Sequence, residues 1–104
     1  MYGILGQANL SATTNTLVYT VPSGKYAKVV INVCNRTTSN ANIRIALSNG
    51  NTPDDAEWIE YNTLLPGNGV LERGDIYLEN FKKVIVYSSI ANTSVNIYGE
   101  EKVG

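Results

Sequence analysis

A chain of 104 residues with a formal net charge of −1 and no basic run longer than Lys82-Lys83 lacks the concentrated positive charge on which nucleic-acid binding depends. No stretch approaches the about 18 consecutive apolar residues of a membrane-spanning helix, and the first residues lack the basic start and apolar core of a secretion signal. The length predicts one domain, and the single cysteine, Cys34, fits a reducing compartment because it cannot form an intramolecular disulfide.

The polar composition is unusual for a soluble domain. Charged residues make up only 16% of the chain, against about 25% in a typical domain, and Asn, Ser and Thr replace them. A weakly charged surface avoids like-charge repulsion when copies pack closely, and interface cores are depleted in charge and enriched in aromatic residues. The composition therefore predicts a protein that self-associates as a homo-oligomer or docks onto other subunits.

The N-terminal segment carries apolar side chains and no charge. Ile4 and Leu5 lie between Gly3 and Gly6, and an exposed chain end of this composition needs something to cover it. Residues 1–10 are therefore predicted to be ordered by contact, either as an edge strand of the domain's own sheet or as an arm added to a neighbouring subunit. The sequence leaves both alternatives open.

Runs of β-branched and aromatic residues bounded by turn residues predict further short strands. In the strongest run every odd position from Ala27 to Val33 is apolar, which indicates a core face, while the mixed even positions indicate a partly covered face. Residues 64–69 are predicted to turn the chain into a strand at 70–73, and the short run at 76–78 is a further strand and a candidate sheet edge. The predicted strands lie at residues 17–21, 26–35, 42–48, 58–61, 70–73, 76–78, 84–87 and 93–98.

Apolar residues that repeat at every second position should share a strand face and pack into one core. About seven or eight short strands at regular spacing, without helical periodicity, predict an all-β fold. We expect a single-domain antiparallel β-sandwich over residues 1–104, either jelly-roll or immunoglobulin-like, with a barrel as the second choice. The predicted core consists of Val29, Ile31, Val33, Ile43, Ile45, Leu47, Val84, Val86, Val95 and Ile97.

The residues that usually carry catalysis are scarce. The chain has no histidine, the commonest general base and transition-metal ligand. A nucleophilic thiol needs a nearby base or a positive field, whereas a small packed side chain needs neither, so we interpret Cys34 as a packing residue. The sequence predicts no catalytic, cofactor-binding or metal-binding residue, and no enzyme.

The acidic side chains before and within the predicted strand at 58–61 suggest two sites, and the residue spacing disfavours both. Asp54, Asp55 and Glu57 could hold a calcium ion with the loop at residues 49–51, but they lack the alternating spacing that surrounds an ion. Glu57 and Glu60 could act as a glycosidase pair, but three positions apart on a strand they would point to opposite faces. We predict a solvated loop, in which residues 54–57 can form one helical turn.

Seven tyrosines and one tryptophan are many for a chain of this length. Rings can stack on sugars or bases, but tyrosine is also favoured in strands and at protein interfaces. We expect packing and interface roles for most of these rings. The candidate interface residues are Ile4, Leu5, Tyr26, Trp58, Tyr61 and Tyr77.

A series of short motifs runs along nearly the whole chain. It comprises GILGQ at residues 3–7, TNTLVYTVPSGK at 14–25, VCNR at 33–36, EWIEY at 57–61, GVLER at 69–73 and VNIYGEE at 95–101. Taken together, the series resembles a group of small β-rich structural proteins of tailed bacteriophages. The resemblance implies a virion component that acts by binding and not by catalysis, and it brings no set of functional residues with it.

The resemblance leaves the place in the particle open. A sandwich of this length is too short for a long fibre but can bridge neighbouring subunits, so we expect a capsid decoration or cement subunit bound to the major capsid protein. A tail, neck or baseplate adaptor bound to tail proteins is the first alternative, and a receptor- or glycan-binding module of a tail fibre is the second. The expected location is the virion, with no cofactor, nucleic acid or membrane as a partner.

Overall fold

Eight β-strands and one turn of 3-10 helix form within residues 2–103, the part of the chain that the computed structural model describes, with the backbone alone for Tyr2. The 3-10 helix spans Asp55–Glu57 and matches the helical turn predicted there. The strands are β1 (Tyr2–Leu10), β2 (Thr16–Thr20), β3 (Lys25–Asn35), β4 (Ala41–Ser48), β5 (Trp58–Leu65), β6 (Val70–Leu78), β7 (Lys83–Ser88) and β8 (Thr93–Val103).

The strands form two four-stranded antiparallel sheets that pack face to face. The first sheet has the order β1-β8-β3-β6 and the second the order β2-β7-β4-β5. Each strand of the first half of the chain thus pairs with its counterpart in the second half, β1 with β8, β2 with β7, β3 with β6 and β4 with β5. This is the jelly-roll arrangement. The predicted all-β sandwich is confirmed, and the strand order is that of the jelly roll and not of the immunoglobulin-like alternative.

The core lies between the two sheets and consists of the side chains that alternation predicts. Ile31 and Ile97 face each other across the β3–β8 pair, and Ile45 and Val86 do so across the β4–β7 pair. All four are 0% exposed, and Leu47 is partly buried against the same cluster. These exposures confirm the predicted core. Alternation within a strand assigns each side chain to one face, and the packed sandwich buries the face that alternation indicates.

The N-terminal segment forms β1, an edge strand of the first sheet that pairs with β8 along its length. The Leu10 side chain is 2% exposed, and Leu5 is partly buried against the core. Residue 1 of the predicted segment lies outside the described residues. Within the single chain, β1 is therefore ordered by its own domain.

Two element boundaries differ from the sequence-based prediction. β6 runs unbroken from residue 70 to 78, so the prediction of two separate strands is wrong. Gly74 and Asp75 together oppose one residue of β3 as a bulge, with a φ of 55° at Asp75. β5 continues through Leu65, which leaves a turn of only residues 66–69. In both places pairing with a neighbouring strand overrides local turn propensity.

The two open sides of the sandwich are closed by different contacts. On one side β1 approaches β2 so closely at Gly6 that a side chain has no room there. On the same side the Tyr19 hydroxyl donates a hydrogen bond of 2.5 Å to the buried Glu101 carboxylate, and burial together with this carboxylate raises the pKa of Tyr19. On the other side the Arg73 guanidinium of β6 binds the Glu60 carboxylate of β5. Each side thus has polar contacts between the sheets.

Candidate functional site

Four side chains on the outer face of the second sheet touch one another and form what we call the aromatic row: Tyr87, Arg44, Tyr61 and Trp58. Arg44 lies directly opposite Tyr87 in the β4–β7 register. Its Cζ atom is 4.3 Å from the ring centroid of Tyr61 and 4.5 Å from that of Tyr87, so the guanidinium makes cation–π contacts with both rings. The Trp58 and Tyr61 ring centroids are 5.4 Å apart at an interplanar angle of 73°, an edge-to-face pair.

A β-bulge explains why one arginine meets so many neighbours. Ile43 pairs with Thr63 and Ile45 with Glu60, so two residues of β5, 61 and 62, oppose Arg44 alone. Asn62 has a φ of 54°, and its Oδ1 accepts a hydrogen bond of 2.7 Å from the Arg44 Nε. The bulge thereby presents both a ring and an amide to the same guanidinium.

A shallow depression of about 390 Å³ lies at the Trp58 end of the aromatic row, lined by Asp55, Trp58 and Tyr61. The Tyr61 side chain is 56% exposed. The depression is open to a ligand that stacks on a ring, and its only charged lining residue is acidic.

An apolar strip runs beside the aromatic row on the same outer face. Leu17 pairs with Ile85, Ile85 with Ala46, and Ala46 with Trp58 across four neighbouring strands. Ile85 and Ala46 are 1% and 0% exposed although they point away from the sandwich core, whereas Leu17 is 45% exposed. The outer face of the second sheet therefore combines buried apolar side chains with exposed ones.

The outer face of the first sheet has a different chemistry. Four polar side chains from its four strands align in register as the amide row: Gln7, Asn96, Asn32 and Glu72. The Gln7 Nε2 donates to the Asn96 Oδ1 at 2.6 Å, and the Glu72 Oε2 accepts from the Asn32 Nδ2 at 3.4 Å and from the Tyr98 hydroxyl at 2.9 Å. The amide row lacks the Tyr, Trp and Arg side chains that dominate protein interfaces, whereas the aromatic row is built from them, so the aromatic row is the stronger binding candidate.

The predicted interface residues divide between these two faces. The structure brings Trp58 and Tyr61 together in the aromatic row. Tyr26 and Tyr77 lie on the outer face of the first sheet, 42% and 68% exposed, with the Lys28 Nζ 5.4 Å from the Tyr77 ring centroid. Tyr77 and then Asp75 raise the pKa of Lys28 by favouring its charged form.

The two apolar candidates of β1 occupy different surroundings. Ile4 is 52% exposed and lies opposite Tyr98 on the outer face, whereas Leu5 is partly buried against the core. Ordinary strand alternation places these successive residues on opposite faces, and Leu5 is the extra residue of the bulge between Ile4 and Gly6. Leu5 thus packs within the domain, and Ile4 is the residue of this pair that a partner can reach.

The acidic loop is held by hydrogen bonds within the chain. Glu57 ends the 3-10 helix and does not lie on the strand with Glu60, contrary to the arrangement considered above. Its carboxylate accepts hydrogen bonds from the Ser48 hydroxyl at 2.9 Å and from the backbone N–H groups of Asn49 at 3.1 Å and Asp54 at 2.9 Å. The Asp54 N–H contributes most to lowering the pKa of Glu57, so its carboxyl group stays ionised and organises the loop.

Glu60 is also engaged in structural contacts. Burial acts to raise its pKa, but the Thr63 hydroxyl, which donates a hydrogen bond of 2.6 Å, and the Arg73 guanidinium outweigh burial and lower it. A general acid needs a raised pKa. The surroundings of Glu57 and Glu60 shift both pKa values in the opposite direction.

Arg44 and Tyr87 are the members of the aromatic row that sequence reasoning missed. Tyr87 ends an apolar run, and Arg44 occupies a polar position of an alternating strand, so neither stands out in the sequence. Their proximity follows from the β4–β7 register, which no local pattern specifies. Cys34 lies partly buried on the outer face of the first sheet, opposite Ser94 and Val70.

Comparisons with protein-family models and with curated proteins gave no match to this chain. Within residues 2–103, no cluster of three or more His, Cys, Asp or Glu side chains could hold a metal ion. No helix in the same range is long and apolar enough to cross a membrane. Function therefore has to be inferred from the geometry of the two outer faces.

Proposed function

We propose that this protein is a virion structural protein of a tailed bacteriophage, and that it acts as a capsid decoration subunit by binding neighbouring protein subunits. The aromatic row is the observation that carries the proposal. Tyr, Trp and Arg are the residue types that dominate binding energy at protein interfaces, and here they lie together on one exposed sheet face.

Two further features support the proposal. Eight-stranded jelly rolls recur in viral capsid domains and also in lectins. This fold-level analogy favours a virion role but does not identify the binding site. The body measures 41 × 28 × 19 Å, large enough to span a junction between neighbouring subunits and too short for a fibre. The series of motifs that resembles small phage structural proteins points the same way.

The test is the presence and copy number of this chain in purified particles. Quantitative mass spectrometry against the major capsid protein should find on the order of hundreds of copies, because a decoration subunit follows capsid symmetry. A few dozen copies or fewer would replace this assignment with the tail, neck or baseplate adaptor. Absence from particles would overturn the virion proposal.

A glycan-binding role is the second candidate, and the depression between Trp58 and Tyr61 is the observation that favours it. A sugar ring could stack on either aromatic side chain while its hydroxyl groups bond to Asp55. A glycan array would show binding that Trp58→Ala abolishes and the matched control Tyr77→Ala, on the other sheet, preserves. Equal signals from both variants and the wild type would exclude the depression as a sugar site.

A further inference from the structure

We infer that the aromatic row is a preformed clamp for a carboxylate of a partner protein, presented on an acidic residue next to an apolar one. The inference rests on the proposed function as a protein-binding subunit and specifies the partner's chemistry. The clamp consists of the Arg44 guanidinium as the anion-binding group, the rings that hold it, and the depression at Trp58 as the apolar half of the site.

Arg44 is a cation without an acidic partner in the described structure. The rings of Tyr61 and Tyr87 both contact its guanidinium and Asn62 accepts from its Nε, which leaves the two Nη groups as donors at the free edge. Across residues 2–103, no carboxylate lies within ion-pair distance of Arg44. Other cations of the domain have such a carboxylate, namely Lys25, Lys28, Arg73 and Lys102.

The free edge has the geometry that a carboxylate needs. Two Nη groups of a planar guanidinium donate parallel hydrogen bonds to the two oxygens of a carboxylate. A mobile surface arginine would lose side-chain entropy on binding, but the rings of Tyr61 and Tyr87 and the Asn62 hydrogen bond already restrain Arg44. The site is therefore organised before the partner arrives.

The surroundings of Arg44 define the residue beside the acid. Trp58 and the exposed Tyr61 ring lie on one side of it, with the apolar strip continuing to Leu17. Asp55 lines the Trp58 depression and repels a second acidic side chain there. The charges thus orient the partner, with its carboxylate at Arg44 and its apolar side chain at Trp58.

Arg36 provides a matched control because it is an exposed arginine that directly follows β3 of the other sheet. No carboxylate lies within ion-pair distance of it among the described residues either. Its Nε donates to the Ser94 hydroxyl at 2.7 Å and its Nη2 to the Asn9 Oδ1 at 2.6 Å, so one of the two Nη groups that a bidentate carboxylate needs is already engaged. If the clamp hypothesis is correct, a partner's carboxylate binds Arg44 and not Arg36.

A randomised library of 12-residue peptides displayed on yeast, selected on the intact protein, tests the inference. We expect enrichment of peptides with Asp or Glu adjacent to an aromatic or aliphatic residue. Replacing that acid by its amide should weaken binding at least about tenfold, since a bidentate charge-assisted contact is lost. Arg44→Gln should weaken binding as much as the amide replacement does, and Arg44→Lys nearly as much. The control variant Arg36→Gln should bind the peptides like the wild type.

The outcomes separate this inference from the proposed function. Enriched peptides without an acid, amide peptides that bind as tightly, or no enriched peptide would overturn the clamp even if particles contain the chain. A dimer that Arg44→Gln abolishes, without peptide binding, would identify a second copy as the occupant and would also overturn it. Acid-dependent binding by a chain that is absent from particles would uphold the clamp and reject the virion assignment.

Discussion

Asn35, the last residue of β3, links two loops through a side chain that is 0% exposed. Its Nδ2 donates to the carbonyl oxygens of Ser39 at 2.7 Å, Leu65 at 3.2 Å and Pro66 at 3.2 Å. Its Oδ1 accepts hydrogen bonds from the backbone N–H of Thr37 at 3.0 Å and from the hydroxyl of the same residue at 2.8 Å. The amide therefore fixes the chain at both the β3–β4 and the β5–β6 connections.

Removal of this amide should destabilise the domain strongly. Asn35→Ala leaves buried carbonyl groups without a donor, which should lower the free energy of unfolding by roughly 2–4 kcal/mol. Urea unfolding at constant m value measures the change. Asn32→Ala on the same strand is the control, because that partly buried side chain makes one long hydrogen bond of 3.4 Å, and it should cost under about 1 kcal/mol. Equal losses would contradict the bridging role.

The surroundings of the Glu60 carboxylate predict that the domain loses stability as the pH falls. Its folded-state pKa is lowered, against the effect of burial, by Thr63 and Arg73. The stabilisation is therefore present above the unfolded pKa of about 4.3 and is lost as the pH falls through the folded value. Glu60→Gln should lower the free energy of unfolding by about 1 kcal/mol at neutral pH.

The difference in the free energy of unfolding between the wild type and Glu60→Gln should disappear in acid. Unfolding of the wild type and Glu60→Gln, measured from pH 7 to about pH 3, should converge as the carboxyl group becomes protonated. Glu57 contributes in the same direction in both proteins and cancels in the difference. The exposed Glu79→Gln serves as the control, and a gap that widens on acidification would refute the assigned sign.

At the scale of elements, Gly6 decides how closely β1 can approach β2. A Cβ atom there would lie 2.5 Å from the Val18 carbonyl oxygen and 3.3 Å from the Tyr19 Cβ. Gly6→Ala should therefore push the two strands apart and cost about 1–3 kcal/mol. Gly50→Ala, where a Cβ would meet nothing within 4 Å, should change stability by under about 0.5 kcal/mol. Thermal unfolding of both variants tests the difference.

The edge position of β1 also predicts what deletion of residues 1–8 does. This deletion removes most of a strand that pairs with β8 and takes with it the core contacts of Leu5 and Ala8. The isolated domain should lose several kcal/mol, with each 1 kcal/mol lowering the melting temperature by about 4–8 °C. An unchanged melting temperature with failed assembly would instead show that the segment acts as an arm on a neighbour.

At the scale of the whole molecule, one core shared by two sheets predicts cooperative unfolding. Ile31→Ala removes a fully buried side chain from the first sheet and should cost about 2–5 kcal/mol. The only tryptophan, Trp58, reports on the second sheet. Its fluorescence and far-ultraviolet circular dichroism should therefore shift to the same new midpoint. Separate transitions would mean that the sheets unfold independently, and an unchanged midpoint would refute the core assignment.

The sequence by itself determined the strands and the faces that they bury. Alternation between residues 27 and 33, and again from 43 to 47, is a property of a single strand, so it is readable without knowing its neighbours. The same local reasoning divided β6 in two at Gly74 and Asp75, because a bulge and a turn have similar composition. Only the pairing with β3 distinguishes the two.

The tertiary structure alone decided the strand order and the binding face. Trp58 and Tyr61 are close in sequence and were predicted as interface residues, whereas Arg44 and Tyr87 come from strands that topology makes neighbours. Asn62 joins them through a bulge opposite Arg44. Contacts across strands depend on which strands pair and in which register, and a jelly roll pairs segments from opposite ends of the chain. For that reason the aromatic row exists only in the folded molecule.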